Sequence, residues 1–256
     1  MTYQAFDLSG KVALVTGGNG GIGLGMAEGL AQAGADIAIW GTSADKNAAA
    51  VERLARHGRR VHAVRCDVGD ESAVDAAFAE TVEALGRIDG CFANAGIGAR
   101  GGRFEDMRSE DWHRVLRVNL DGAFFTLRGA ARQMLKQGDG GVLIGTASVA
   151  AIEGAPRNEH YAATKGGLIS MMRALAVEYA RHGVRAHSIL PGWIATDMTA
   201  RGQADAAFQE MVGKRVPMRR WGEPADFAGI AIYLMSDASR YHTGDTLVID
   251  GGYTLF

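Results

Sequence analysis

Short apolar runs alternate with longer amphipathic stretches along the chain, and this alternation limits the possible folds more than any other feature. Such runs are typical of strands that are buried on both faces, as in parallel sheets. They lie at residues 12–15, 37–40, 61–64, 90–93, 142–146, 186–190 and 247–249. The alanine-rich stretches between them predict amphipathic helices. These lie at residues 22–33, 45–57, 71–85, 111–135, 162–182 and 224–235.

Strands that alternate with helices predict an α/β fold of the Rossmann type, a doubly wound, seven-stranded parallel sheet with helices on both faces. Right-handed crossovers between parallel strands leave few topologies. A sheet of this kind binds its ligand outside the carboxyl ends of the strands, where the strand order reverses. The 256 residues contain no linker, repeat or low-complexity tract. We therefore expect a single domain over residues 1–256, with functional residues directly after the strands.

Composition argues against several classes of partner. The formal net charge is −2, which gives no sign of a nucleic-acid or membrane-surface partner. Residues 1–9 lack the basic and apolar regions of a signal peptide, and no apolar run is long enough to span a bilayer. Cys66 and Cys91 imply no disulfide framework, and no histidine–cysteine cluster has metal-ligand spacing. We expect a cytoplasmic protein without a metal ion.

A glycine-rich turn joins the first predicted strand to the first predicted helix. From Thr16 to Gly23 it reads Thr-Gly-Gly-Asn-Gly-Gly-Ile-Gly. Glycine lets the backbone approach a pyrophosphate, and the amides at the helix N-terminus favour its negative charge. A strand before the turn and a helix after it are typical of a dinucleotide-binding site. The residues expected to contact the cofactor here are Gly17, Asn19, Gly21, Ile22 and Gly23.

The end of the second predicted strand bears on the choice between NAD and NADP. An acidic residue at this position binds the ribose hydroxyls of NAD, and it would repel the 2′-phosphate of NADP. The chain has Gly41, Thr42 and Ser43 there, with Lys46 close by and no arginine at the spot. The missing carboxylate, the two hydroxyls and the lysine favour NADP mildly over NAD.

Tyr161 and Lys165 stand four residues apart at the start of a long predicted helix, and residues at this spacing share a helix face. A cation about 4 Å from the phenol is worth roughly 4 kcal/mol at a surface-like dielectric. It could lower the phenol pKa from ~10 by up to about three units, and desolvation would take back part of this shift. Ser148 follows the predicted strand just before this helix, where its hydroxyl can stabilise a carbonyl oxygen that gains negative charge. The pattern predicts that Tyr161 exchanges a proton with an alcohol or ketone.

These features, in this order, resemble those of the short-chain dehydrogenase/reductase family, and the resemblance covers essentially the whole chain. It implies an NAD(P)-dependent oxidoreductase that acts on CH–OH groups, either a carbonyl reductase or an alcohol or polyol dehydrogenase. Such an enzyme transfers hydride reversibly between a nicotinamide cofactor and a ketone or secondary alcohol. By resemblance, the catalytic residues are Asn119, Ser148, Tyr161 and Lys165. In the family, the asparagine holds a water that relays protons through the lysine.

The resemblance also implies contacts for residues that follow the predicted strands. Asp67 matches the residue that binds the adenine amino group, and Asn94-Ala95-Gly96 matches the family's Asn-Ala-Gly motif. Pro191-Gly192, together with Thr196, matches the segment that binds the nicotinamide carboxamide. Further cofactor contacts are expected at Gly41, Thr42, Ser43, Val68, Tyr161, Lys165 and Ile194. The candidate substrate contacts are Ser148, His160 and Trp193.

The segment at residues 193–221 is expected to form a lid over a small-molecule carbonyl or alcohol substrate. The family is usually tetrameric and pairs two long helices across a two-fold axis. The resemblance therefore implies a homotetramer that uses the helices predicted at residues 111–135 and 162–182.

Alternatives remain open within and outside this class. A sugar or polyol dehydrogenase is one of them. A 3-oxoacyl-[acyl-carrier-protein] reductase would need a basic surface for an acidic partner, which Arg128, Arg132 and Lys136 could supply. A non-catalytic NAD(P)H-binding sensor would keep the fold without turnover, although all four catalytic positions are filled here.

Overall fold

The computed structural model describes residues 4–98 and 102–255. Residues 1–3 of the N-terminal stretch considered above, and residue 256 at the end of the expected domain, lie outside the described residues. The described chain contains seven strands. They are β1 (Val12–Thr16), β2 (Asp36–Gly41), β3 (Val61–Arg65), β4 (Gly90–Ala93), β5 (Gly141–Thr146), β6 (Val184–Pro191) and β7 (Thr246–Ile249).

Every neighbouring pair of strands is parallel, and the order across the sheet is β3-β2-β1-β4-β5-β6-β7. The chain first builds outward from one side of β1 and then crosses to build from the other side. The strand order therefore reverses between β1 and β4. The predicted seven-stranded parallel sheet of the Rossmann type is confirmed, and no strand end differs from its predicted position by more than two residues.

The α-helices of the described residues cover both faces of this sheet. They are α1 (Gly21–Gln32), α2 (Ala44–Ala55), α3 (Glu71–Leu85), α4 (Ser109–Leu116), α5 (Gly122–Gln137), α6 (Glu159–Tyr179), α7 (Ala200–Gln203), α8 (Ala206–Arg215) and α9 (Ala228–Met235). None of them is both long enough and apolar enough to cross a membrane.

Side chains of one strand alternate between two apolar cores because successive residues of a strand point to opposite faces. In β1, Val12 and Leu14 belong to the core under α3, α5 and α6, whereas Ala13 and Val15 belong to the core under α1, α2 and α9. All five residues of β1 are buried. Burial on both faces explains why the strand is a continuous apolar run in the sequence.

The prediction of one regular helix at residues 111–135 is wrong, because the helix is interrupted. The structure has α4, then a π-helical segment at Arg117–Asp121, and then α5. A π segment widens the helix locally and is common at functional sites. Asn119 lies in this wider turn, and its side chain is buried. The sequence pattern showed the amphipathic period but not the interruption.

Two other predicted helices differ at their ends. The one predicted at residues 162–182 begins at Glu159, ends at Tyr179 and continues as a 3-10 turn over Ala180–His182. Gly183 then stops it, with a φ of 71° that favours glycine. The one predicted at residues 224–235 begins as a 3-10 turn over Pro224–Phe227 and becomes α9.

Helix α1 packs closely against the start of α9 because two of its residues lack side chains. A Cβ at Gly25 would overlap Pro224 O, and a Cβ at Gly29 would lie 2.6 Å from Ala228 Cβ. Real Cβ atoms essentially never come so close to other atoms. This close contact sets how α1 lies against the sheet, and α1 carries the glycine-rich turn at its start.

We predict that Gly25→Ala destabilises the protein by about 1–3 kcal/mol, because the added methyl overpacks a backbone contact. Gly229→Ala is the matched control, since a Cβ at this exposed position of α9 meets nothing within 4 Å. The control should leave the free energy of unfolding unchanged or raise it by up to about 1 kcal/mol. Urea unfolding measures both variants, and equal effects on stability would contradict the packing argument.

Candidate active site

The carboxyl ends of β1 and β4 are joined by three hydrogen bonds between Thr16 and the following loop. Asn94 N and Ala95 N each donate to Thr16 Oγ1 at 3.0 Å, and Asn94 Nδ2 donates to Thr16 O at 3.0 Å. This is the place where the strand order reverses. A crevice opens there in folds of this type, and ligands bind in it.

The glycine-rich turn follows β1 directly and borders this crevice. Gly17 has a φ of 64°, and a Cβ on it would lie 3.1 Å from Asn94 Nδ2. A Cβ on Gly23 would overlap Gly17 O. A Cβ on Gly20 would meet nothing within 4 Å, so this part of the turn faces open space. The turn fits a pyrophosphate because its backbone is bare on the side where α1 begins.

A pair of asparagine side chains, buried Asn47 and half-buried Asn19, supports the end of β2. Asn19 Nδ2 donates to Asn47 Oδ1 at 2.7 Å, and Asn47 Nδ2 donates to Gly41 O and Val64 O at 3.2 Å each. A Cβ at Gly41 would overlap Asn19 Nδ2 and lie 2.6 Å from Asn47 Oδ1. A side chain at residue 41, including the carboxylate expected of an NAD-selective protein, would therefore displace the asparagine pair.

No arginine stands at residues 41–43 in the sequence, but the structure places one beside them. Arg65 ends β3, beside Gly41 in the parallel pairing, and its Nε donates to Thr42 O at 3.1 Å. The sequence places it more than twenty residues away, and only the strand register brings it there. Ser43 caps α2 by accepting a hydrogen bond from Lys46 N at 3.3 Å.

Asp67 and Val68, which follow β3, are held by the π segment. Asp67 Oδ2 accepts a hydrogen bond from Arg117 at 3.0 Å, and Asp67 Oδ1 accepts one from Gly69 N at the same distance. Val68 is buried, and a Cβ on Gly122 would lie 2.7 Å from its Cγ2. The sequence alone does not indicate a role for this arginine, because the role depends on a contact between two separate elements.

Asn119 fixes the loop after β4. Its Oδ1 accepts from Ile97 N at 2.8 Å, and its Nδ2 donates to Ile97 O at 3.0 Å. A Cβ on Gly96 would lie 3.2 Å from Asn119 Oδ1 and 3.5 Å from Lys165 Nζ. Gly96 therefore leaves a small space between the asparagine and the lysine.

Ser148, Tyr161 and Lys165 meet at the carboxyl end of β5. Lys165 Nζ donates to Thr146 O at 2.8 Å and lies 5.5 Å from the centroid of the Tyr161 ring. Ser148 Oγ accepts from Ala150 N at 3.2 Å, which leaves its own hydrogen to donate. Four candidate catalytic residues from three different segments thus converge on one edge of the sheet.

The segment after β6 closes the crevice from the other side. Gly192 N donates to Ile249 O at 3.1 Å, and buried Ile194 forms a backbone bridge with Gly222. A Cβ on Gly21 would lie 3.2 Å from Thr196 Cγ2. The glycine-rich turn and the segment after Pro191 therefore face each other.

Three comparisons with known proteins agree on the family. A family model described as enoyl-(acyl carrier protein) reductase matches residues 17–254. The L-rhamnose 1-dehydrogenase (NAD(P)(+)) of Sphingomonas sp. (strain SKA58) is 39% identical and covers 96% of both chains. The 2-dehydro-3-deoxy-D-gluconate 5-dehydrogenase of Dickeya dadantii (strain 3937) is 37% identical and covers 99% of both. The chain belongs to the short-chain dehydrogenase/reductase family.

A solved structure extends this agreement to the fold. The gluconate 5-dehydrogenase from Burkholderia cenocepacia J2315, in complex with NADP and tartrate, has a TM-score of 0.93 and 37% identity. The match covers 99% of this chain and 98% of that chain. The family predicted from the motifs is confirmed, and so is an NAD(P)-dependent oxidoreductase acting on CH–OH groups.

The short-chain dehydrogenase/reductase tyrosine of this chain does not have the lowered pKa predicted from its spacing to lysine. Burial raises the pKa of Tyr161 above its ordinary value, and the hydrogen-bond interaction with Ser148 opposes this shift only in part. Burial also lowers the pKa of Lys165 to about 8. The prediction had the wrong direction because it treated burial as a partial offset to the charge of the lysine, whereas burial is the largest influence on this phenol.

Trp193 belongs to an aromatic cluster that includes Phe208, Trp221 and Tyr253. Its ring lies 4.9 Å from the Phe208 ring and 6.0 Å from the Trp221 ring, measured between centroids, in edge-to-face geometry. The cluster attaches α8 to the strand ends. The indole Nε1 atoms of Trp193 and Trp221 are buried without a hydrogen-bond partner among the described residues.

His160 does not line an open cleft. Its side chain is 0% exposed, and neither ring nitrogen has a hydrogen-bond partner among the described residues. Arg157, in the loop before α6, has a left-handed backbone with a φ of 63°, which is unusual for a residue other than glycine. The expected contact between His160 and a substrate stays a prediction.

We predict that Lys165→Met changes how stability depends on pH. The unfolded lysine keeps its proton up to pH ~10.4, whereas the folded one loses it near pH 8. The folded protein therefore carries the full cost of the buried charge below pH 8, and this cost disappears as pH rises through the window from 8 to ~10.4. The wild type should gain about 2–3 kcal/mol over the variant across that window.

Urea unfolding of both proteins at pH 7.5 and pH 10 measures this difference. Other titrating groups act equally in both proteins and cancel. A stability difference that stays constant with pH would mean that Lys165 does not titrate in this range.

Proposed function

We propose that this chain is a sugar or polyol dehydrogenase that interconverts a secondary alcohol and a ketone, with Tyr161 as the proton donor and acceptor. The observation that carries this proposal is the convergence of Ser148, Tyr161 and Lys165 on the carboxyl end of β5. The relatives described above act on rhamnose, a deoxygluconate and gluconate by name. They support a small polyhydroxylated substrate rather than a simple ketone.

In the direction of reduction, Tyr161 gives its proton to the carbonyl oxygen. Its raised pKa keeps the phenol protonated at neutral pH, which is the form this step needs. Ser148 donates its free hydrogen to the same oxygen and stabilises the charge that develops there. The nicotinamide cofactor supplies the hydride when bound.

Lys165 returns a proton to the phenol from its buried position. A pKa near 8 allows the ammonium to give and regain a proton at ordinary pH, and the bond to Thr146 O keeps it in place. The space beside Gly96, between Asn119 and Lys165, suits the relay water that the family resemblance implies. Oxidation of the alcohol reverses these steps, and it requires the phenol to lose its proton first.

The residues that would hold the cofactor run from the end of β2, past the glycine-rich turn, to the segment after β6. Asp67, Val68 and the residues from Gly41 to Ser43 would hold its adenosine half. The turn with Gly17, Asn19, Gly21, Ile22 and Gly23 would bind its pyrophosphate. The remaining residues would hold its nicotinamide half, namely Asn94, Ala95, Gly96, Tyr161, Lys165, Pro191, Gly192, Ile194 and Thr196. The carboxylate that is missing at residue 41 supports NADP over NAD.

The segment at residues 193–221 acts as the substrate lid of a single domain over residues 1–256. An ion pair supports this assignment, since Arg215 at the end of α8 lies 3.4 Å from Glu153 in the loop after Ser148. The guanidinium also stacks 4.1 Å from the centroid of the Tyr253 ring. Two buried free thiols, Cys66 and Cys91, fit a cytoplasmic location.

The acyl-carrier-protein reductase is the weaker alternative. Of the three basic residues expected to bind the acidic partner, Arg128 is not free to do so. It pairs with Glu71 and stacks 4.8 Å from the centroid of the Phe124 ring. Arg132 and Lys136 remain exposed, and two surface cations are an ordinary solvated helix face. The NAD(P)H sensor predicts cofactor binding without turnover, which the following experiment tests.

We predict that Tyr161→Phe lowers kcat by about 10²–10⁴-fold, because the ring remains while the transferable proton is lost. NAD(P)H absorbance at 340 nm, followed over a panel of aldoses, sugar acids, polyols and their ketones, measures turnover. Cofactor affinity should change little, and fluorescence titration with NADPH is the control for intact binding. Near-wild-type turnover in the variant would contradict the proton-transfer role, and no turnover by the wild type on any panel member would favour the sensor.

We also propose that the protein is a homotetramer. Its α5 and α6 carry apolar side chains that are partly or largely exposed in this chain, namely Phe124 and Leu135 on α5 and Val177 on α6. Val177 is 83% exposed, which is unusual for a valine on a long helix. A two-fold pairing of these helices between copies would cover all three residues.

We predict that Val177→Glu dissociates the tetramer, because the new charge would be buried at the helix pairing without a partner. Multi-angle light scattering measures the mass. Met211→Glu, on the surface of α8, is the matched control and should leave the mass unchanged. A monomeric wild type, or a Val177→Glu variant that keeps the wild-type mass, would refute the assembly.

A further inference from the structure

Arg65 stands at the adenosine end of the crevice with most of its guanidinium available. Its Nε donates to Thr42 O at 3.1 Å, and this bond orients the planar group beside Thr42 and Ser43. Among the described residues, no carboxylate lies within 4 Å of it, so its charge is unpaired. The exposed nitrogens Nη1 and Nη2 form a fork that matches the oxygens of a phosphate.

Lys46 supplies a second cation at the same end. It lies in the first turn of α2, one turn after the Ser43 cap. Its ammonium pairs with Asp197 Oδ2 at 2.6 Å, although the two residues are 151 positions apart in the sequence. Asp197 begins the 3-10 turn after Thr196, whose methyl group faces Gly21 of the glycine-rich turn. The ion pair thus joins the two sides of the cofactor crevice.

Few carboxylates lie at this end. Residue 41 is a glycine packed against the asparagine pair, and Asp67 is bound to Arg117. Asp45 lies in the first turn of α2 and forms no ion pair with a described residue. Among the described residues, Asp197 is the carboxylate that pairs with Lys46.

We propose that Arg65 recognises the 2′-phosphate of NADP, with Lys46 as the second cation, and that Asp197 competes with that phosphate for Lys46. This inference rests on the proposed NAD(P)-dependent function and names the residues that choose the cofactor. Arg65 and Lys46 attract the phosphate, and Asp197 reduces its affinity because the Lys46–Asp197 pair must open first. NAD, which lacks the phosphate, leaves the pair closed.

The magnitudes of the two effects differ. A charge-assisted hydrogen bond from an arginine fork is worth roughly 1.5–3 kcal/mol, which corresponds to about a tenfold or greater change in affinity. An exposed ion pair such as Lys46–Asp197 is worth much less, so its opening costs about a two- to fivefold change. Arg65 is thus the main determinant, and Asp197 adjusts its effect.

The test uses 2′,5′-ADP and 5′-AMP as probes, because they differ only in the 2′-phosphate and need no substrate. Isothermal titration calorimetry should show that the wild type binds 2′,5′-ADP more tightly. Arg65→Gln should weaken 2′,5′-ADP binding about tenfold or more and change 5′-AMP binding less than twofold. Arg56→Gln is the matched control, since it removes the same charge from the far end of α2 and should leave both affinities unchanged.

Arg65→Lys keeps the charge but removes the fork, and it should lie between the wild type and the glutamine variant. This second variant preserves the test if Arg65→Gln folds poorly, which circular dichroism reports. Equal loss in Arg65→Gln and Arg56→Gln, or a wild type that binds both probes equally, would overturn the assignment of Arg65.

Asp197→Asn tests the competition, and the effect should have the opposite sign. It should tighten 2′,5′-ADP binding about two- to fivefold and leave 5′-AMP binding unchanged. In a Lys46→Gln background the gain should vanish, because the competing partner is gone. A gain that persists without Lys46, or no gain at all, would refute the role of Asp197.

These outcomes are independent of the substrate. If no sugar or polyol is turned over but the probe affinities behave as stated, the proposed reaction fails and the assignment of Arg65 stands. If turnover occurs but Arg65→Gln keeps the wild-type preference for 2′,5′-ADP, the reaction stands and the assignment of Arg65 fails.

Discussion

The hydrogen bonds between Thr16 and the Asn94–Ala95 backbone hold together the point on which the rest of the site depends. After β1 and β4 the chain leaves the sheet toward opposite faces. The loops that follow the two strands would therefore separate without a cross-link. One threonine hydroxyl accepts two backbone N–H groups, and the Asn94 side chain binds the Thr16 carbonyl. The glycine-rich turn and the loop that Asn119 binds thereby keep a fixed spacing.

Burial, rather than the charge of the neighbouring lysine, governs the protonation of the catalytic pair. Removing a phenol and an ammonium from water disfavours the charged form of each, so the tyrosine pKa rises and the lysine pKa falls. A protonated phenol next to a lysine that titrates near pH 8 is suited to passing a proton in either direction. The tyrosine–lysine spacing alone therefore indicates the chemistry correctly but gives the wrong sign for the shift of the tyrosine pKa.

The sequence predicts features that come from a periodic pattern or from residues that lie close together in the chain. Apolar runs predicted all seven strands. The order of motifs predicted the family, and it also predicted that Ser148 and Tyr161 lie at the same edge of the sheet. The π segment at Asn119 was not predictable, because the helical period continues through it. The contacts of Arg65 with Thr42 and of Arg117 with Asp67 depend on the register of strands and on packing between elements, for which one sequence carries no signal.

Under the proposed assignment, cofactor choice follows from packing beneath the site as much as from the residues that face the ligand. Asn47 binds the Gly41 carbonyl, and together with Asn19 it fills the space of a side chain at residue 41, so an acid there would displace the asparagine pair. The neighbouring strand then supplies the cation, because parallel pairing sets Arg65 beside Gly41. In this assignment, Gly41 of β2 and Arg65 of β3 act together on the cofactor. The glycine leaves no negative charge at the strand end, and the arginine provides a positive one.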